Sequence, residues 1–142
     1  IVESGAISFF AETIGETNPV HSNRDAAIAA GYHDVVAPPT YPVVLEMASA
    51  KETARRGDTP LLDVIKADMR YVLHGTETYD YHGPIFAGDT VQVVSRVAGF
   101  SDAKGGALEI AQLEMEIRHA TRGTLAVARR DVIHRLPTKA SQ

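Results

Sequence analysis

A carboxylate, an amide and an imidazole fall within six residues in the stretch Gly15-Glu16-Thr17-Asn18-Pro19-Val20-His21. Pro19 forbids a regular helix there, so the segment must be a loop whose polar groups need partners. Glu and His are the side chains most used to move protons near neutral pH, and a rigid loop can hold both toward one substrate. Asn18 suits a structural role beside them, because its amide can bond loop backbone and fix the turn. Taken singly, Glu16 reads as an exposed carboxylate pairing with Arg24, and His21 as a surface imidazole. Their joint spacing makes them the candidate acid–base pair. Because both lie on a loop outside the expected core, removing either should cost turnover and spare stability.

A second stretch, Val36-Ala37-Pro38-Pro39-Thr40-Tyr41, leads into the longest predicted helix, Thr40 to Arg56. Pro39, Thr40 and Tyr41 are the candidates to line a pocket beside the pair, at the positive end of that helix. Thr40 is its expected cap, Pro42 is tolerated in the first turn, and Val44, Met47, Ala48 and Lys51 are expected to share its inward face. Earlier, Ser4 to Ile14 reads as a short helix capped by Ser4 and ended by Gly15, after a strand remnant at Ile1-Val2-Glu3. Asn23 should cap a second short helix, Arg24 to Ala30, closed by Gly31. The loop to Pro39 should bury Val35 and Val36.

The second half alternates as strands do. Met69 to Leu73 and Thr76 to His82 read as one strand interrupted near His74-Gly75, Val91 to Ala98 as another, then Leu108 to His119 and Leu125 to Leu136. In the third, Leu113, Met115 and Ile117 point one way and Gln112, Glu114, Glu116 and Arg118 the other. Gly83-Pro84 and Gly88-Asp89 bracket a loop through Ile85-Phe86. Lys104-Gly105-Gly106 and Arg122-Gly123 mark turns, and the tail after Pro137 should be loose. One long helix and an antiparallel sheet of long strands define an α+β domain with the sheet curled round the helix.

With 142 residues and 44% hydrophobic content, the chain suffices for a single domain over 1–142. A net charge of −4 without a basic block argues against nucleic acid as a partner. The absence of cysteine excludes disulfides and thiolate chemistry. No apolar run reaches the roughly 20 residues of a membrane span and no signal-peptide pattern opens the sequence, so a cytoplasmic protein is expected. Ile1 is not an initiator methionine, and a numbering that starts within a longer chain is expected. His33, His74, His82, His119 and His134 lack metal-ligand spacing, and no metal is expected; His82, beside Gly83, could approach a pocket.

Glu16, Asn18, Pro19 and His21 match the acidic–x–Asn–Pro–x–His signature of the MaoC-like (R)-specific enoyl-thioester hydratases and dehydratases, which the chain resembles over nearly its whole length. The family usually has Asp where Glu16 stands. Its Ile-Ala-His-Gly-Met is replaced by Val36-Ala37-Pro38-Pro39-Thr40, a form similar to the amino-terminal dehydratase half, some members of which are non-catalytic partners. His74-Gly75, Tyr81 to Ile85 and Gly88-Asp89 resemble that branch's strand–loop–strand passage. The resemblance implies a hot-dog fold and reversible (R)-specific hydration of trans-2-enoyl thioesters by Glu16 and His21. The substrate would be carried on CoA or a carrier protein, without another cofactor. It also implies a homodimer or a heterodimer with a related hot-dog chain. In the family a backbone N–H at the helix entrance serves the thioester oxygen; Pro39 has none, so the donor would be the Thr40 N–H or hydroxyl. A non-catalytic subunit that holds an acyl chain or supports a catalytic partner stands as the alternative, and a thioesterase as a third.

Overall fold

Alternation decides the sheet. In the computed structural model, which describes residues 1–135, the strands are β1 (Val72–Tyr81), β2 (Val91–Ala103), β3 (Leu108–His119) and β4 (Gly123–Arg135). They form one sheet in the order β1-β4-β3-β2, antiparallel at each junction. Along β3, Ala111, Leu113, Met115 and Ile117 are buried while the residues between them reach the outer face, as period-two alternation requires. Leu136 and the tail after Pro137 lie outside the described residues.

Among the described residues four α-helices accompany the sheet: α1 (Ser4–Thr13), α2 (Arg24–Ala29), α3 (Pro42–Arg55) and α4 (Leu61–Val64). The main core joins Val2 and Ile7 of the N-terminal segment, Val35 and Ala37 of the loop, and Tyr41 and Leu45 of α3. Ile85 and the β3–β4 residues Ile117, Leu125 and Ala126 complete it. Each fully buried aliphatic here contributes about 1.5–3 kcal/mol relative to exposure, so burial anchors the Val35–Ala37 loop to the core. A second cluster, Ala111, Leu113 and Val132, is covered by Leu61, Leu62 and Ile65 around α4. Among the described residues no helix is long and apolar enough to cross a membrane.

Several expectations change. α3 turns Tyr41, Pro42 and Leu45 inward, and Met47 is 68% exposed, so Met47, Ala48 and Lys51 do not form its core face. Burying the Tyr41 ring fixes the rotation of the helix, and Leu45 follows one turn later. Thr40 does not cap α3: Tyr41 is the N-cap and no side chain bonds the first turn, because Pro42 at the start removes one of the donors a cap would serve. Ser4 is the first residue of α1, not its cap; Glu3 stands there in extended conformation. Residues 1–3 are not a strand, yet the Val2 N–H donates to the Asp89 carbonyl and the Gly88 N–H to Val2, both at 2.8 Å. α4 was not anticipated, β1 starts at Val72 rather than Met69, and β2 runs five residues beyond Ala98 through a bulge at Val97/Gly99. Asn23 caps α2 as expected, its side chain accepting from the Ala26 N–H at 3.0 Å, and β1 carries the expected irregularity between His74 and Glu77.

Candidate functional site

Past the Ile14 C-cap of α1 stands Gly15, whose φ of +73° only glycine adopts freely, and the chain turns into the motif loop with the Glu16 N–H on the Ala11 carbonyl at 2.8 Å. The Asn18 N–H then donates to Glu16 Oε1 at 2.9 Å, and Asn18 Oδ1 accepts from the Val20 N–H at 3.2 Å. Asn18 thereby caps a single 3₁₀ turn, Pro19–His21. That turn swings His21 inward. Its ring is 8% exposed, and Nδ1 lies 2.7 Å from the Val36 carbonyl oxygen. A carbonyl can only accept, so Nδ1 carries the hydrogen and the neutral ring keeps its lone pair at Nε2.

Glu16 is exposed. The Asn18 N–H, and after it the Thr17 N–H and the His21 imidazole, hold its carboxyl below the ordinary carboxylate value against a smaller desolvation cost. Arg24 does not pair with it but with Asp34, at 3.2 Å. The loop thus presents an anionic carboxylate and an imidazole oriented from behind. His21 is not outside the core: its removal would forfeit a buried hydrogen bond, whereas Glu16 is exposed.

Val36 passes the arrangement on. Its N–H donates to Val20 at 3.0 Å, Ala37 N–H to Ile85 at 2.8 Å and Ala87 N–H to Val35 at 2.9 Å, so the motif loop, the 35–37 segment and the 85–87 loop form a three-ply backbone layer. Behind it, Asp89 is 8% exposed, accepts from the Phe86 N–H at 2.8 Å and pairs with Arg122. Arg122 also donates to the Pro84 carbonyl at 2.8 Å and lies over the Phe86 ring.

Beside this layer opens a pocket of about 360 Å³, walled by Val36 and the Pro38-Pro39 turn on one side and by Tyr81, Pro84 and Ile85 on the other. Pro39 lines it. Thr40 does not; it is exposed at the start of α3. Tyr41 belongs to the core rather than to a pocket wall, 2% exposed, edge-on to Phe10 with its phenol pushed up by burial. His82 is exposed and outside the lining. The residues missed from the sequence are Tyr81, Asp89 and Arg122. Tyr81-His82-Gly83-Pro84 and Gly88-Asp89 stand out there as a passage, but nothing in it says that Tyr81 reaches the pocket wall or that Asp89 is buried against Arg122. Among the described residues no group of three His, Asp or Glu side chains gathers to hold a metal ion.

An antiparallel sheet of long strands packed with helices is the hot-dog architecture, and comparison with known proteins places it. Residues 1–127 match the family described as FAS1-like, dehydratase domain region, and the chain belongs to that family. The fold is that of the MaoC-like proteins. A structure described as a MaoC-like dehydratase superposes with a TM-score of 0.79 at 20% identity, covering 99% of this chain and 40% of that one. The C-terminally truncated HadBC (3R-hydroxyacyl-ACP dehydratase) complex from Mycobacterium tuberculosis gives 0.74 at 18% identity, over 94% of this chain and 88% of that one. In sequence the chain is 36% identical over 106 residues to a UPF0336 protein of Clavibacter michiganensis subsp. michiganensis, covering 75% of this chain and 67% of the relative. The chain spans between about half and two thirds of the length of the curated relatives it matches.

Proposed function

We propose that the chain catalyses the (R)-specific addition of water to a trans-2-enoyl thioester, carried on CoA or a carrier protein, and the reverse dehydration, with no further cofactor. The observation that carries this reading is the orientation of His21: Nδ1 committed to the Val36 carbonyl and Nε2 left to act, five residues along the same loop from the anionic Glu16. In the forward direction the pair takes one proton from water as the water oxygen bonds C3. The C2–C3 π pair moves toward C1 and the thioester oxygen becomes an enolate. A proton delivered from the pair to C2 restores the carbonyl, so that H and OH have been added and nothing else has changed. Acyl chain and thioester would lie along the apolar pocket next to Val36.

Glu16→Gln and His21→Ala should each lower kcat on crotonyl-CoA by about 10²–10⁴. Unchanged turnover in both would remove the pair from the chemistry. The second reading, a non-catalytic subunit, is favoured by Pro39, which supplies no N–H where the thioester oxygen would arrive. It expects acyl-CoA binding without turnover by the isolated wild type, indifferent to His21→Ala. In either case β1 is a sheet edge with Leu73 63% exposed, and a second copy or a related hot-dog chain is the proposed cover.

A further inference from the structure

The thioester oxygen needs a donor where enolate charge gathers, and the pocket restricts the choice. Pro38, Pro39, Pro42 and Pro84 in its lining have no N–H. The N–H groups of Val36, Ala37 and Gly83 are committed to the carbonyls of Val20, Ile85 and Leu125. Outside the strand ladder, where Tyr81 pairs with Ala126, what remains is the Ile85 N–H, on a residue 6% exposed, and one side-chain hydroxyl, that of Tyr81.

Tyr81 ends β1, and its hydroxyl crosses 42 positions of sequence to donate to the Pro39 carbonyl, at the entrance of α3. The ring is braced against Tyr79, 5.8 Å away and nearly parallel, and the Tyr79 hydroxyl is anchored on Glu77 Oε1 at 2.6 Å. A braced phenol with one rotatable O–H can turn from a carbonyl at the pocket wall to a carbonyl inside the pocket without moving its ring. Desolvation, and then the charge of Glu77, push the Tyr81 phenol above its ordinary value, so at neutral pH it keeps its proton and can donate.

Resting on the hydratase reading above, we propose that the Tyr81 hydroxyl is a catalytic residue of this chain, donating to the thioester oxygen at the very turn where Pro39 removes the backbone donor. The proton stays on Tyr81 throughout; only the acceptor changes, from the Pro39 carbonyl to the substrate oxygen, and the interaction strengthens as that oxygen gains negative charge.

The test is Tyr81→Phe, which deletes one oxygen and keeps the stacked ring. On crotonyl-CoA its kcat should fall by about 10²–10³, as when one oxyanion donor is lost, with KM changed far less. Pro39→Gly in the Tyr81→Phe background should recover part of the loss by supplying an N–H, which a purely structural role for the hydroxyl would not allow. The carbonyl stretch of bound butyryl-CoA, an unreactive analogue, should lie at lower frequency in the wild type than in Tyr81→Phe. A kcat for Tyr81→Phe within about twofold of wild type overturns the proposal while leaving the hydratase reading in place, and passes the role to the Ile85 N–H. Should the wild type itself fail to hydrate crotonyl-CoA, the hydratase reading falls. The carbonyl stretch then decides separately: a shift lost in Tyr81→Phe retains the hydroxyl as the thioester donor in binding, and an unchanged stretch discards it.

Discussion

His21 does two things at once, and its neighbours show why a loop can serve where a helix could not. A 3₁₀ turn capped by Asn18 directs the ring inward, and a single carbonyl, that of Val36, selects the tautomer. His21→Ala should therefore cost about 1–2 kcal/mol of stability besides its effect on rate, because a buried hydrogen bond and ring volume go together. Glu16→Gln, at an exposed carboxylate, should change the unfolding free energy read from urea titration by no more than about 0.5 kcal/mol. If both variants lose equal stability, the burial of His21 is not what fixes it. Pro39 yields another prediction at this scale. Pro39→Gly adds an N–H at the entrance of α3 and should raise kcat on crotonyl-CoA, at a cost of about 0.5–1 kcal/mol from the freer unfolded chain. A lower kcat with the fold intact would mean that the proline's rigid turn, which holds the carbonyl facing Tyr81, matters more than the missing donor.

Between residue and fold stands the layer formed by segments 35–37 and 85–87, and Asp89 is its clamp. The carboxylate holds the Phe86 N–H and Arg122, and Phe86 pairs with Val36, whose carbonyl orients His21. Asp89→Ala would leave a buried N–H and a half-buried guanidinium without their partner, costing about 2–3 kcal/mol. Turnover should fall as well, because the Val36 carbonyl loses its backing. Arg122→Lys, which keeps the charge but not the planar fork, should fall between wild type and Asp89→Ala in both thermal midpoint and kcat. Identical thermal midpoints for Asp89→Ala and wild type would dismiss the clamp. This layer marks the limit of what sequence reading reached. β3 is legible because period two repeats from Ala111 to Ile117, and the break at His74-Gly75 because a glycine interrupts a strand pattern; the structure adds that Asp131 backbone lies 3.0 Å from where a Gly75 Cβ would stand. Asn18 and Asn23 were legible because caps act over two or three residues. The rotation of α3 was not, since a run rich in Ala and Val offers several faces and the burial of Tyr41 chooses among them. Tyr81 and Arg122 act across 42 and 33 positions, a reach no local pattern carries.

Over the whole molecule, the two sheet edges differ. Both carry a register shift, but β2 exposes one large apolar residue, Phe100, and bears Arg96, whereas β1 and its approach expose Leu73, Tyr71 and Met69. Light scattering should find at least a dimer at micromolar concentration, and Leu73→Lys should shift it toward monomer without unfolding. A wild-type monomer would leave β1 uncovered. Charge supplies the remaining prediction. Glu52, Asp68 and Glu116 are held at about 2 by Arg55, Arg70 and Arg118 respectively, with Arg56 and Thr124 adding to the first and last. Glu114 is lowered by Arg96 and Arg129. A carboxylate lowered in the folded state binds protons more readily once unfolded, so these groups contribute stability above their ordinary values near 4, which is lost as pH falls toward about 2. Glu46 works the other way. Burial raises it despite Arg130, so its contribution is present below its ordinary value of 4.5 and declines as pH rises through the raised one. The lowered groups outnumber it, but they are exposed and each is worth little. The urea midpoint should therefore fall gently from pH 5 to about pH 2.5, and molar salt should flatten that slope by screening the arginine pairs. A midpoint that climbs on acidification would make the buried Glu46, rather than the exposed pairs on the outer face of the sheet and at the helix ends, the group that governs acid stability.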